Sequence, residues 1–341
     1  MSKAQKITLI VATVLLVSGL GLSFAVLAMA DFNLGNLSTT RDWVLTSDTL
    51  APESEAAHTD IVVRDGSENV RIELTSGKSI EIEYWENSNK SFATTDLDGV
   101  LTIEGSQEPT FGFMVMDLQD RTTVIKIPAE YAGSLTVQTA SGNVAISDLT
   151  AIDELEASAM SGDVVLKNAN AQSIELVTAS GNVDAAKARC TRFSANSMSG
   201  NVSVETVDAL DFSATAASGN VRISKVNAEE FVTTSTSGNV HAFDCFGSAM
   251  TLETASGNVD ARVIGSESDF VIAASTASGS VHAPRGSADG EYAISMRTAS
   301  GNIDLALTGA AAPNTSEDQG STAPSAPEAP EAPKAPEAPN S

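Results

Sequence analysis

The sequence has few cysteines and few basic residues, and each shortage excludes a class of protein. It has only two Cys among 341 residues, which excludes a small secreted module held together by disulfides. It has 19 Lys and Arg against 44 Asp and Glu, a net charge of -25, and so strong an excess of acid excludes a nucleic-acid-binding protein. Aromatic residues make up only 5% of the chain, but apolar residues make up 42%. That apolar content excludes a chain that is disordered throughout.

An uncharged run of 24 residues, 7–30, lies near the start of the sequence. It is long enough to cross the hydrocarbon core as a helix, and Lys3 and Lys6 precede it. By the positive-inside rule, residues 1–6 form a cytoplasmic stub and the body of the protein lies on the extracellular side. We therefore predict a retained signal anchor that crosses the cell membrane once. The alternative is a cleaved signal peptide and a secreted protein, because Ala28-Met29-Ala30 has the form of a cleavage site.

A Ser-Gly dipeptide recurs through the middle of the chain at nearly constant spacing. Successive glycines are separated by 20, 19, 19, 19, 19, 19, 22 and 22 residues. Nine copies at a nearly fixed period are typical of a solenoid. The nine turn glycines are Gly142, Gly162, Gly181, Gly200, Gly219, Gly238, Gly257, Gly279 and Gly301.

Alignment of the copies on these glycines reveals apolar columns. The residue seven positions before each glycine is large and apolar: Leu135, Leu155, Ile174, Phe193, Phe212, Phe231, Met250, Ile272 and Ile294. The residue two positions after each glycine is β-branched: Val144, Val164, Val183, Val202, Val221, Val240, Val259, Val281 and Ile303. Alternation of apolar and polar residues around these columns predicts short strands with one inward face, and a glycine in every period disfavours helix.

These patterns predict an all-β fold, a single β-solenoid of parallel stacked coils with about 19 residues in each coil. Nine coils at about 4.8 Å each give a rod of about 43 Å. We expect the turn glycine to supply a positive φ and the asparagines that follow it to stack amide on amide.

The segments on either side of the repeats differ from them. We expect residues 31–133 to form β-rich first coils and a cap, since residues 69–74 and 79–83 alternate in polarity and Asp98-Gly99 is a hairpin turn sequence. A separate small β-domain is the alternative. The regular repeats occupy residues 134–307. Residues 308–341 are rich in Pro, Ala and Glu, which predicts a disordered tail with polyproline II character.

The chain resembles a bacterial “putative adhesin” family of β-solenoids. The resemblance is carried by the repeated Ser-Gly-Asn/Asp-Val motif and by the entry into the repeats, the sequence IKIPAE at 125–130 followed by SLTVQTASGNV at 134–144. It extends over roughly residues 40 to 307. It implies a solenoid displayed on the cell envelope, and it brings no catalytic residues with it.

One cluster of side chains is a candidate metal site. Asp260, His282 and Asp304 each lie three residues after a turn glycine and would project from the outer surface of neighbouring coils, where they could ligate a metal or polarise the histidine. The alternative interpretation is a solvated column of compatible charges that holds no metal.

Cys190 and Cys245 fall in different columns about three coils apart, beyond disulfide reach. We expect the Thr and Ser before each turn glycine to cap turns.

The function predicted from sequence is non-enzymatic and requires no cofactor. We expect an adhesin-like protein that presents a long surface to an envelope polymer, a host surface or a membrane protein. One alternative is a scaffold or sensor of an envelope-stress response that acts through a membrane-protein partner. Another is a β-helix enzyme acting on polysaccharide through Asp260 and Asp304. A self-assembling filament with an uncapped end is a third.

Overall fold

The computed structural model describes residues 43–50, 58–87, 90–107 and 121–310. These residues form a parallel β-solenoid whose equivalent positions recur every 19 residues in its regular part. No helix in the described part of the chain is long and apolar enough to cross a membrane. The predicted anchor and residues 311–341 of the predicted tail lie outside the described residues.

Seven strands precede the regular repeats. They are β1 (Val44–Leu50), β2 (Asp60–Asp65), β3 (Asn69–Thr75), β4 (Ile80–Glu86), β5 (Lys90–Leu97), β6 (Val100–Gln107) and β7 (Thr122–Pro128). β1 pairs with β4, β4 with β7 and β5 with β6, all antiparallel. Asp98 and Gly99 join β5 to β6 with positive φ angles of 53° and 84°, so the predicted hairpin is confirmed.

Fifteen strands form the repeats. They are β8 (Ser134–Thr139), β9 (Val144–Ser147), β10 (Thr150–Ala159), β11 (Val164–Thr178), β12 (Val183–Arg189), β13 (Arg192–Ser199), β14 (Val202–Asp208), β15 (Asp211–Ser218), β16 (Val221–Ser237), β17 (Val240–Ser256), β18 (Val259–Val263), β19 (Phe270–Ser278), β20 (Val281–His282), β21 (Tyr292–Ser300) and β22 (Ile303–Leu307). Neighbours in the stack are parallel and in register, as in β16 against β17.

The stack has two long faces. The first face contains the strand segments before the turn glycines, in the order β6, β2, β8, β10, β11, β13, β15, β16, β17, β21, β19. The second face contains the segments after them, in the order β7, β3, β9, β11, β12, β14, β16, β17, β18, β22, β20. The ten strand spacings between these eleven described layers give a rod of about 48 Å.

The order of turns differs from the order of the sequence at both ends of the rod. β21 lies between β17 and β19, and β22 lies between β18 and β20. The coil formed by residues 270–282 is therefore the last layer of the stack, and the coil formed by residues 292–307 lies before it. The grouping of Asp260, His282 and Asp304 on consecutive coils assumed that coils stack in chain order. That assumption is wrong here, because the connections at 264–269 and 283–291 are long enough to step over a layer. At the other end, β2 and β3 lie inside β6 and β7.

The predicted apolar columns form the core. Every residue of the column seven before the glycine is buried except Ile272, and every residue of the β-branched column is fully buried except Val281. Phe193, Phe212 and Phe231 stack along the rod with ring centroids 5.4 and 4.9 Å apart. Both exceptions belong to the last layer, where no further layer among the described residues covers them.

Two hydrogen-bond ladders hold the turns together. The Oδ1 atom of Asn201 accepts the backbone N–H of Asn220 at 3.0 Å and its side-chain amide at 3.3 Å. The same bonds link Asn220 to Asn239, so the expected stacking of amides is confirmed there. On the first face, buried hydroxyls such as Thr254 donate to the carbonyl of the preceding turn glycine, Gly238, at 2.8 Å. These hydroxyls bond between layers. The expected capping of a hydroxyl's own turn is present at Thr139, whose Oγ1 accepts the N–H of Gly142 at 3.1 Å.

The turn glycines are required by close stacking more than by backbone conformation. Only four of the nine have positive φ, at 152–159°: Gly238, Gly257, Gly279 and Gly301. The expectation that all of these turns need positive φ is wrong for the other five. A Cβ atom at Gly200, however, would overlap the carbonyl oxygen of Gly181 and lie 2.6 Å from its carbonyl carbon. Eight of the nine turn glycines lie this close to the carbonyl of the turn glycine in the layer below, and Gly142 lies this close to the carbonyl of Glu68, so none has room for a side chain.

Positive φ instead marks the opposite corner of the coil. Residues six positions after the turn glycine adopt the left-handed conformation, with φ of 53–60°: Asp148, Asn168, Lys187, Thr206, Lys225 and Asp244. This corner was not predicted from the sequence, because none of these residues is glycine. Of these six residues, Thr206 is the least suited to the left-handed conformation, since a β-branched side chain crowds a left-handed backbone.

The N-terminal end of the rod encloses a buried ion pair. The Lys90 Nζ atom lies 3.0 and 3.3 Å from the two carboxylate oxygens of Asp65, and the two residues are 2% and 4% exposed. Thr123 donates to the same carboxylate at 3.1 Å, and the guanidinium of Arg121 lies 3.8 Å from the Trp43 ring centroid. Paired and hydrogen-bonded charges are compatible with burial, so this end of the core is closed by polar contacts.

Candidate functional site

A column of outward-facing polar side chains runs along the C-terminal half of the second face. Strand register places its seven members in seven successive layers, which corresponds to about 29 Å of the rod. We call it the outer polar column, and in spatial order it contains Asp184, Ser203, Arg222, His241, Asp260, Asp304 and His282. The column exists because positions that alternate with the buried β-branched residues point away from the core.

Two histidine–aspartate pairs occupy the last four layers of this column. His241 Nδ1 lies 3.0 Å from Asp260 Oδ2, and His282 Nδ1 lies 3.2 Å from Asp304 Oδ1. Asp260 and Asp304 are register partners on adjacent strands. Each carboxylate therefore orients the imidazole with which it is paired. The four side chains together present both hydrogen-bond donors and hydrogen-bond acceptors to solvent.

The predicted candidate residues Asp260, His282 and Asp304 are thus brought together, but in a different order. Asp304 lies between the other two, because residues 292–307 are inserted into the stack. Within the part of the chain that the structure describes, no group of three or more His, Cys, Asp and Glu side chains is arranged to hold a metal ion. The His–Asp pairing accounts for the positions of these three side chains.

A shallow groove of about 580 Å³ lies beside the column. Phe243, Arg262 and Glu267 contribute to its lining, together with Asp260, Asp304 and His282. The guanidinium of Arg262 lies 5.9 Å from the Phe243 ring centroid, and the Phe243 and His241 rings are 6.0 Å apart. The groove therefore combines one aromatic ring with charged and neutral hydrogen-bonding groups.

Arg262 is fixed by Asp244, the left-handed residue at the adjacent corner. Its Nε and one terminal nitrogen donate to the two carboxylate oxygens of Asp244 at 2.6 Å each. These hydrogen bonds hold the pKa of Asp244 below its ordinary value. The roles of Phe243, Arg262 and Asp244 were not predicted from the sequence. The signal available was the regular period, since Phe243 and Arg262 both stand five residues after a turn glycine.

The two cysteines are separate, as the column assignment predicts. Both are free thiols, Cys245 buried and Cys190 partly buried. Burial is the largest cause that raises the pKa of Cys190 to about 12 and that of Cys245 to about 11. A thiol with so high a pKa is a poor nucleophile at neutral pH, so these residues behave as small core side chains.

Comparison with known proteins identifies the family. The sequence model of the family described as Toastrack DUF4097 matches the chain twice, at residues 58–192 and 172–326. The chain belongs to the Toastrack family. No curated protein matches this sequence.

Solved structures of low sequence identity also align with the chain. A “putative adhesin” of Parabacteroides merdae is 14% identical, with 79% of this chain and 97% of that chain covered and a TM-score of 0.47. A “putative cell adhesion protein” of Clostridium sporogenes is 11% identical over 78% and 99% of the two chains, with a TM-score of 0.22. A “putative lipid binding protein” of Parabacteroides distasonis is 16% identical over 79% and 97%, with a TM-score of 0.38.

Proposed function

We propose that this Toastrack protein is a non-enzymatic, adhesin-like rod that binds an extended polysaccharide of the cell envelope along its second face. In this proposal residues 7–30 anchor the chain in the cell membrane, and the solenoid lies on the extracellular side. The observation that carries the proposal is the outer polar column, which repeats one outward side chain in each layer over about 29 Å.

The chemistry of the column suits a carbohydrate. Arg222 and Ser203 supply hydrogen-bond donors, the carboxylates of Asp260 and Asp304 supply acceptors, and Phe243 adds one apolar ring in the adjacent groove. An extended polysaccharide repeats its hydroxyl groups along its length, so it can satisfy a regular ladder of such groups. The neighbouring groove is shallow, and solenoids bind through long surfaces of this kind.

Binding is favoured over catalysis by the way in which the carboxylates are held. Glycoside hydrolysis needs one carboxyl group as the acid and a second as the nucleophile or base, both facing the scissile bond. Asp260 and Asp304 instead each contact a histidine in an adjacent layer. We therefore assign these carboxylates to recognition.

The proposal is tested with the full chain in detergent and isolated envelope polysaccharide. We expect saturable binding without release of new reducing ends. Arg222→Ser, which copies the Ser203 of the neighbouring layer, should weaken binding at least tenfold. Arg297→Ser, an exposed arginine on the first face, is the matched control and should leave binding unchanged.

Two results would overturn this proposal. One is retention of a membrane protein with no polysaccharide, which would favour the scaffold or sensor alternative. The other is equal weakening by the two arginine variants, because that outcome would indicate nonspecific attraction between charges.

A further inference from the structure

The last layer of the rod leaves the core open at its C-terminal end. Val281 of β20 is 41% exposed, whereas the eight equivalent residues in the other repeats, Val144 through Ile303, are 0% exposed. Ile272 and Ala274 of β19 are also only partly buried, in columns that are otherwise buried. Among the described strands, β19 pairs only with β21 and β20 only with β22. One backbone edge of each strand is therefore available for pairing.

The β19 part of this edge lacks the charges and prolines that normally prevent association, whereas β20 is followed closely by Pro284 and Arg285. Residues 270–281 carry no charge and no proline, although exposed edge strands are usually protected by charged side chains, proline or bulges. The connection at 283–291 covers only the start of β19, where the Ser287 N–H donates to the Phe270 carbonyl at 2.8 Å. From Ala273 to Ser278 the described chain offers no cover.

The residues that follow the solenoid are a poor candidate for covering this edge. The chain leaves the stack at Gly309, whose N–H donates to Gly265 at 2.9 Å. Residues 311–341 contain seven prolines, six of them at every third position from Pro324 to Pro339. Proline has no N–H to donate to a strand edge. We therefore infer that the exposed edge of β19 and β20 pairs with another chain.

We propose that two copies of this chain pair head to head through β19 and β20, related by a two-fold axis perpendicular to the rod. Such an axis reverses the strands, so β19 meets β19 of the second copy as an antiparallel pair. The register must place Thr276 of one copy opposite either Thr276 or Ala274 of the second copy. The inward-facing residues of both copies then lie on the same side of the joined sheet. The open ends of the two cores then cover each other.

The N-terminal end of the rod explains why pairing stops at two copies. There the parallel stack ends in the antiparallel strands β1, β4 and β5, so it does not repeat the open parallel layer of the C-terminal end. A two-fold contact uses the same surface on both copies and is closed. The paired rod has its two N-terminal ends about 100 Å apart, and this inference does not depend on the proposed polysaccharide.

Cross-linking tests the geometry directly. In the full chain, Ser275→Cys lies at the middle of the exposed edge of β19 and should be joined to the second copy by a short bis-maleimide. Ser158→Cys is the matched control, because Ser158 stands at the same position relative to its turn glycine in the middle of the rod. We expect a covalent dimer from the first variant only. Equal cross-linking of both variants would contradict the pairing.

Mass measurement by light scattering, corrected for detergent, supplies a second test. We expect a protein mass of twice 35.1 kDa for the wild type and at least 100-fold weaker pairing for Ser275→Lys with Ala277→Lys. Both side chains point outward, so the variant should keep the wild-type circular dichroism spectrum. Salt should strengthen pairing, since each chain carries a net charge of -25. A monomeric wild type, a dimeric lysine variant, or a wild type that forms long filaments would each overturn the proposal.

Discussion

Replacement of Gly200 by alanine tests the stacking of the turns. The backbone of Gly200 does not have positive φ, so alanine is conformationally permitted there. Its Cβ would nevertheless overlap the carbonyl oxygen of Gly181. The turn cannot shift freely, because the Gly200 N–H donates to Ser218 at 3.2 Å and the Asn201 N–H donates to Asn182 at 3.0 Å. Overpacking typically costs 1–3 kcal/mol, and we expect about 3 kcal/mol here because both contacting groups belong to the backbone.

The assay is urea unfolding of Gly200→Ala followed by circular dichroism, with amide hydrogen exchange to locate the effect. Exchange should accelerate in the turns that contain Gly181 and Gly219 before it changes elsewhere, since each layer contacts its neighbours. Gly66→Ala is the matched control, because a Cβ there has no atom within 4 Å. A Gly200→Ala variant as stable as the Gly66→Ala control would refute the reasoning.

Three further predictions concern strain, buried charge and the thiols. Thr206→Asn should raise the free energy of unfolding by about 1 kcal/mol, because Thr206 has a left-handed backbone that asparagine tolerates better; an unchanged urea midpoint would count against it. Lys90→Met should lower that free energy by about 3 kcal/mol, since it leaves the buried carboxylate of Asp65 without its cation; a loss below about 1 kcal/mol would contradict this. Cys190 and Cys245 should react with a disulfide reagent at pH 8 only in urea, because burial raises both thiol pKa values; rapid reaction of the folded chain would exclude this account.

The period of the fold was predictable because each core position is repeated in the sequence. The Phe193, Phe212 and Phe231 column alone fixes a register of 19 residues, and neighbouring strands obey it. The Asp98-Gly99 hairpin was predictable for a local reason, since that dipeptide favours positive φ at both positions.

The order of the last turns could not be derived from the period. Stacking energy depends on the residues that meet, and the turns at 270–282 and 292–307 carry nearly the same columns. One signal was present. Ser280 occupies the position of the asparagine ladder. Its N–H donates to Oδ1 of Asn302 in the layer below, but serine has no side-chain amide to offer to a further layer. The asparagine ladder can be interrupted in the last layer of the stack, because no further layer needs its hydrogen bonds.

The candidate site was only partly predictable. The outward positions of Asp260, His282 and Asp304 follow from parity along a strand. The pairing of His241 with Asp260, and the contact between Arg262 and Phe243, required the register and the side-chain rotamers. The antiparallel strands at the N-terminal end also had no periodic signal, since each pairs with a partner that does not repeat.

The central claim of this account is that the rod recognises a polymer along an extended face. Titration of the full chain with envelope oligosaccharides of increasing length, followed by calorimetry, tests it most directly. The account predicts affinity that rises with length until the oligosaccharide spans the outer polar column of about 29 Å, with no cleavage of the ligand. Affinity that is already maximal for a disaccharide, or the absence of binding at every length, would contradict it.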